Sequence, residues 1–139
     1  MREFREAVEA GDLDAVEALL AENVVFTSPV AFRPYPGKAI TAAILRGVTR
    51  VFEDFRYERE IGAAEGRDHA LVFTARVDGR ELQGCDFLHL DENGLIDELT
   101  VMVRPLSAAQ ALSAAMGAQF EQIAQEAQAA QAAQAAGSA

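Results

Sequence analysis

Two short turn sequences constrain this chain more than anything else in it. Asp78-Gly79 and Asp91-Glu92-Asn93-Gly94 each sit between runs rich in β-favouring residues, and such turns reverse a strand within a few residues. Leu71 to Val77 is therefore paired through the first turn with a run that starts at Arg80, and the second turn returns that run into Leu95 to Arg104. Just upstream, Phe55, Tyr57, Arg59 and Ile61 alternate with Arg56, Glu58 and Glu60, the period of a half-buried strand with the first set sharing a face. Four antiparallel strands thus succeed one another, and their apolar face needs a layer of helices.

The flanking sequence supplies those helices. Phe4 and Val8, then Leu13, Val16, Leu19 and Leu20, recur at helical spacing with a break at Gly11-Asp12. Asp12 is placed to cap the second helix and Asn23 to end it. Val24 to Ser28 reads as a short strand that stops at Pro29. Ala31 to Gly37, containing Pro34, Tyr35 and Pro36, reads as a loop before a third helix with Ile40, Ile44, Val48 and Phe52 on one stripe. Beyond Pro105, Leu112, Met116, Phe120 and Ile123 mark another amphipathic helix. From Gln125 that stripe fades into Gln-Ala-Ala repeats, which have high helix propensity and little to bury, so a frayed or partner-supported end is expected. The organisation is an α+β domain over residues 1–106 and an Ala/Gln-rich helical extension over 107–139.

A chain of 139 residues, 50% of them hydrophobic, can bury the core of one domain. Its formal charge of -10 speaks against nucleic acid and anionic membranes as partners, since both reward clustered Lys and Arg; a neutral or apolar small molecule fits better. No apolar stretch approaches the roughly 18 residues of a spanning helix. The first residues lack the apolar run of a secretory signal, and Cys85, the single cysteine, cannot close an internal disulfide, so the cytoplasm is the expected compartment.

Within the strand that starts near Arg80, Asp86 puts a carboxylate where the neighbours Cys85, Phe87 and Leu88 read as core. Such a group must pair, accept hydrogen bonds or take up a proton. Two roles stay open for it: a proton donor or base with a raised pKa, or a structural carboxyl bonded to Ser28, Tyr57 or backbone. Alternation puts Gly84, Leu88 and Leu90 on the side of Asp86, and Cys85, Phe87 and His89 on the other. Ser28 lacks a base to make it a nucleophile, because His89 falls on the face opposite Asp86. His69 and His89 lie without matching Cys or acidic spacing, so no metal ligand set is expected and both read as surface or sheet-interface residues. Cys85 has no basic neighbour in sequence to form a thiolate and reads as a packed apolar group.

The element order, with Gly11-Asp12-Leu13-Asp14-Ala15 opening the second helix and Asp91-Glu92-Asn93-Gly94-Leu95-Ile96 turning the last hairpin, resembles the SnoaL-like branch of the NTF2-like superfamily over residues 1–106. The resemblance implies a cone: a curved antiparallel sheet wrapped around N-terminal helices, here with an extra C-terminal helix, enclosing a deep pocket. It implies no cofactor and a homodimer formed through the sheet. The superfamily holds ketosteroid isomerases, polyketide cyclases and noncatalytic binders, so the fold alone does not name a reaction.

Cys85-Asp86-Phe87-Leu88-His89-Leu90-Asp91-Glu92-Asn93-Gly94 looks like the isomerase strand whose protonated aspartic acid donates to the substrate oxyanion, which makes Asp86 the catalytic candidate. Ser28 stands at the isomerases' general-base position, Phe4 at their oxyanion tyrosine, and Val101 where cyclases carry a catalytic aspartate. The implied pocket is lined by Phe26, Phe52 and Val101, with Ser28 and either Tyr57 or Tyr35 as polar groups beside Asp86. On the outer face, Cys85, Phe87, Thr100 and Met102 form an apolar stripe that meets either a second subunit or the C-terminal helix. The function so implied is binding of a hydrophobic cyclic or polyketide-like molecule, with isomerisation, cyclisation or dehydration through Asp86. The alternative is a noncatalytic ligand-binding or dimeric scaffold protein in which Asp86 is structural.

Overall fold

Asp78 and Gly79 both take positive φ, 51° and 74°, the backbone of a two-residue hairpin turn. Through it β4 (Asp68–Val77) and β5 (Arg80–Leu90) pair without a register break, from Asp68 opposite His89 to Val77 opposite Arg80. At the second turn Asp91 Oδ1 accepts from the N–H groups of Asn93 and Leu95 and leads the chain into β6 (Ile96–Arg104). With β3 (Glu53–Ile61) beside β4, the meander of four antiparallel strands is complete.

The computed structural model describes residues 1–137 and adds two strands to that meander. β1 (Leu20–Thr27) pairs parallel with β6, and the two-residue β2 (Tyr35–Pro36), in the segment expected as a loop, pairs antiparallel with β1. The curved six-strand sheet has the order β2-β1-β6-β5-β4-β3, antiparallel except at the β1–β6 seam.

Three local expectations are corrected. α1 (Arg2–Glu9) and α2 (Leu13–Ala18) form, and Asp12 Oδ1 accepts from Ala15 N–H at 3.1 Å as the cap. However, α2 ends before Leu19, and Asn23 lies inside β1 rather than closing a helix. Pairing decides this: Leu19 O accepts from Ile96 N–H at 2.9 Å and Leu20 sits opposite Ile96, so a buried sheet partner outweighs helical periodicity. In the second, α3 (Lys38–Val51) stops one residue before Phe52, whose backbone is extended, and the Phe52 ring leaves the helical stripe to lie 5.8 Å from both Phe55 and Phe73.

The third concerns β3. A register shift between Tyr57 and Arg59 puts Tyr57 opposite Phe73 but Arg59 opposite Val72 and Ile61 opposite Ala70. Phe55 and Tyr57 face the core, whereas Arg59 and Ile61 are level with outward-facing neighbours; Ile61 is 50% exposed. A bulge reverses the side-chain sense of everything after it, which strict alternation cannot anticipate.

α4 (Leu106–Gly137) packs against α3 on the concave side of the sheet, not on its outer face, so it does not cover Cys85, Phe87 and Met102. A Cβ at Gly47 of α3 would lie 2.6 Å from Ile123 Cδ1, so glycine is what lets the two helices approach this closely. Arg50 adds a polar clamp: its Nε donates to Gln119 Oε1 at 2.7 Å and its Nη2 lies 2.9 Å from Glu126 Oε1. Ile123 and Ala127 are buried, and the residues from Gln128 to Gly137 are helical and exposed, the stretch for which fraying or partner support is expected. Ser138 and Ala139 of the expected extension lie outside the described residues. No described helix is long and apolar enough to cross a membrane.

Candidate functional site

The helices and the sheet do not fill the space between them. They enclose a cavity of about 490 Å³, within the range of small-molecule sites. Phe4 of α1, Val16 of α2, Ile44 of α3 and Leu112 of α4 supply its helical wall, and Phe26, Phe73 and Val101 its sheet wall. Phe52 and Phe55 lie against Phe73 and close one side with stacked aromatic rings.

Asp86 is the ionisable group set deep in this apolar surface, 8% exposed, on the face shared with Gly84 and Leu88. Tyr57 Oη donates to Asp86 Oδ2 at 2.8 Å, across the one intervening strand β4, in which Tyr57 pairs with Phe73 and Asp86 with Leu71. Asp86 Oδ1 has no protein donor among the described residues. Burial pushes the Asp86 carboxyl up to about 7, against the pull of the Tyr57 hydrogen bond, which favours the ionised form. The Tyr57 hydroxyl is raised by burial and by the neighbouring Asp86, so it stays protonated and acts only as a donor to that carboxylate. Near neutral pH both forms of Asp86 are therefore accessible, with one oxygen fixed and the other turned over to the cavity.

The remaining residues singled out from sequence divide between the cavity and its surroundings. Ser28 lines the cavity but is not bonded to Asp86; its Oγ accepts from Val30 N–H at 3.1 Å and retains its own proton to donate. Phe26, Phe52 and Val101 line the cavity, and Val101 sits opposite Asp86. Tyr35 does not reach it; its ring lies 6.4 Å from Phe26 and 6.1 Å from Phe120. Cys85, Phe87 and His89 point away, and burial and the nearby Asp86 raise the Cys85 thiol, keeping it protonated.

The two histidines have different surroundings. His89 is on the outer face, where Asp97 holds it at 2.6 Å and raises its pKa. His69 is buried rather than at a surface, with Nε2–H donating to Gly66 O at 2.7 Å. His89, Asp97 and Glu98 bring ligand-type atoms within 4.8 Å of one another, through the β5–β6 pairing and its register shift beside His89, which sequence spacing does not reveal; none of the three is among the residues lining the cavity.

Two further polar cavity residues have no counterpart among the candidates read from sequence: Glu9, at the end of α1, and Thr49, near the end of α3, both at the exposed rim. A charged or hydroxyl residue at a helix end gives no sequence signal that separates a site from a solvated surface.

The family model of the SnoaL-like domain matches residues 1–99. The chain belongs to the SnoaL-like family. This SnoaL-like protein is similar to a steroid delta-isomerase from Pseudomonas aeruginosa, with 41% identity over 87% of this chain and 88% of that one and a TM-score of 0.82. It is similar also to an uncharacterized protein conserved in bacteria, with a cystatin-like fold, from Silicibacter pomeroyi DSS-3: 38% identity, 89% and 86% of the two chains, TM-score 0.83. An NTF2-like protein from Burkholderia xenovorans LB400, at 22% identity over 79% of this chain and 90% of that one, shares the fold with a TM-score of 0.62. No curated protein matches the chain.

Proposed function

We propose that this SnoaL-like protein binds a hydrophobic cyclic or polyketide-like molecule in its cavity and moves a proton on it through Asp86, in an isomerisation, cyclisation or dehydration. The observation that carries this reading is the buried Tyr57–Asp86 pair in the wall of a largely apolar cavity. A carboxyl near 7 donates from its protonated form to a ligand carbonyl or enolate oxygen, and accepts a proton from its ionised form, which suits it to either half of a proton transfer. Tyr57 occupies Oδ2 and leaves Oδ1 for the ligand, so the reactive oxygen is selected before the ligand arrives. The similarity to a steroid delta-isomerase supports a steroid-like, fused-ring ligand.

The test is turnover of a β,γ-unsaturated cyclic ketone, monitored by the ultraviolet absorbance of the conjugated product. Asp86→Asn abolishes turnover while the fold persists, and Tyr57→Phe lowers it; turnover unchanged in Asp86→Asn sinks the catalytic role. The noncatalytic reading keeps one supporting observation: Phe4, Ser28 and Val101, which occupy the family's other catalytic positions, carry no acid or base. Binding of the ketone without turnover by the wild type would favour it.

The same reading includes a homodimer through the outer sheet face. Exposed Ile61, Phe87 and Met102 lie there in adjacent cross-strand rows. Beyond them on one side is the row Arg56, Thr74, Gln83 and Arg104, and on the other the row Asp68, His89 and Glu98. A two-fold axis lying in the face and crossing the strands would set apolar rows against each other and arginines against acids, which supports a second copy as the occupant.

A further inference from the structure

We infer that Glu9 sets ligand specificity at the cavity rim, requiring a hydrogen-bond donor, a hydroxyl or a protonated amine, on the exposed end of the ligand and rejecting a carboxylate there. This rests on the cavity being a ligand site. Glu9 and Thr49 offer acceptors and no donors at the rim, the free hydroxyl proton in the lining being that of Ser28 on the sheet side. Glu9 Oε1 accepts from Arg5 Nε at 2.9 Å, and Oε2 has no protein donor among the described residues. Thr49 also lines the rim, and its hydroxyl proton is already given to Arg46 O at 2.7 Å, which leaves only lone pairs. Both side chains can therefore accept and neither can donate.

Glu9 is the last residue of α1, and with Ala10 and Gly11 it brings the end of that helix to the cavity; the carbonyls of Glu6, Ala7 and Val8 are taken by the N–H groups of Ala10, Asp12 and Gly11, and the last turn carries no basic residue. No Lys, Arg or His is among the described residues lining the cavity. Arg5 comes close, but its guanidinium is shared between Glu9 and Glu60, and it lies 6.0 Å from the centre of the Tyr57 ring. A ligand carboxylate would thus meet a carboxylate whose nearby cation, Arg5, is already shared with Glu60. A hydroxyl or ammonium would meet two free acceptors, while the apolar body fills the cavity and an oxygen acceptor reaches Asp86.

Three fluorescent acetylnaphthalenes test this, differing only at the ring position farthest from the ketone, where they carry a hydroxyl, a methoxy or a carboxylate group. Affinities are measured by fluorescence titration on wild type, Glu9→Gln and Glu9→Ala, with urea midpoints confirming that all three proteins are folded. Wild type should prefer hydroxyl to methoxy by about tenfold, the lower end for a hydrogen bond to a charged acceptor, and bind the carboxylate least. Both variants should shrink the hydroxyl preference and improve carboxylate binding. An identical ranking in all three proteins, or no preference in wild type, overturns the role of Glu9. If that ranking ignores Glu9 while Asp86→Asn weakens every ligand, the cavity reading survives and the rim inference alone falls. If none of the three binds wild type, both fall.

Discussion

Replacing Asp86 by Asn should make the protein more stable at alkaline pH than the wild type. The folded chain holds this carboxyl at about 7 against an ordinary 3.8. That gap corresponds to a penalty on the order of 4 kcal/mol for carrying the charge in the folded state. Below about pH 4 the group is protonated whether folded or not, and its ionisation costs nothing. As pH rises from there the unfolded chain ionises first, the folded state alone keeps the proton, and stability falls until the pH passes about 7, after which the loss is constant. Asn keeps an acceptor for the Tyr57 hydroxyl at 2.8 Å and removes the titration. Urea unfolding of both proteins across this range isolates the effect, since the surface carboxylates and the raised His89 titrate in both and cancel in the difference. The difference should grow in favour of Asp86→Asn by up to about 4 kcal/mol between roughly pH 4 and pH 8. A difference that does not change with pH, or that grows in favour of the wild type, would refute the claim that burial holds this carboxyl up.

A methyl group at Gly84 would lie 2.7 Å from Phe73 Cε2 in a ring that is 1% exposed, so Gly84→Ala should cost about 1–3 kcal/mol in urea unfolding, with Phe73→Leu recovering part of it. Ending the chain after Ala127 should leave the thermal midpoint unchanged, because the helix beyond that residue is exposed; ending it after Gln119 removes buried Ile123 and the Glu126 partner of Arg50 and should cost about 2–5 kcal/mol. A midpoint that drops with the first cut would mean that the distal helix has a partner. Phe87→Lys combined with Met102→Lys should convert a dimer to a monomer in size-exclusion chromatography; a wild type already eluting as a monomer at micromolar concentration would count against the interface.

The meander is legible in the sequence because turns of the Asp-Gly and Asn-Gly kind demand backbone that few other residues adopt, and Asp86 because a lone carboxylate in an apolar strand has few tolerable environments. Leu19 and Leu20 mislead because the same apolar pair satisfies a helix stripe or a buried strand, and only the long-range partner Ile96 decides between them. The parallel seam between β1 and β6 joins segments far apart in the chain, which local pattern cannot place. Ser28 reaches the cavity without reaching Asp86, since bonding of its hydroxyl to the backbone two residues on competes for its oxygen. The contact of Gly47 with Ile123 is invisible in sequence for a different reason: a glycine in a helical stripe reads as a weak point until the helix that fills its notch is known.

The β3 bulge has a consequence for the two open edges of the sheet. β3 and β2 are the two ends of the sheet, and each exposes backbone groups onto which another chain's strand could add. β2 is only two residues long, and β3 breaks its register twice, between Glu53 and Arg56 and again between Tyr57 and Arg59, along a sequence dense in charge. Neither end is a straight, uniform template, so growth of the sheet sideways into fibrils is blocked at both margins. The irregularity that turns Ile61 outward also keeps the edge beside it from offering an unbroken template to another strand.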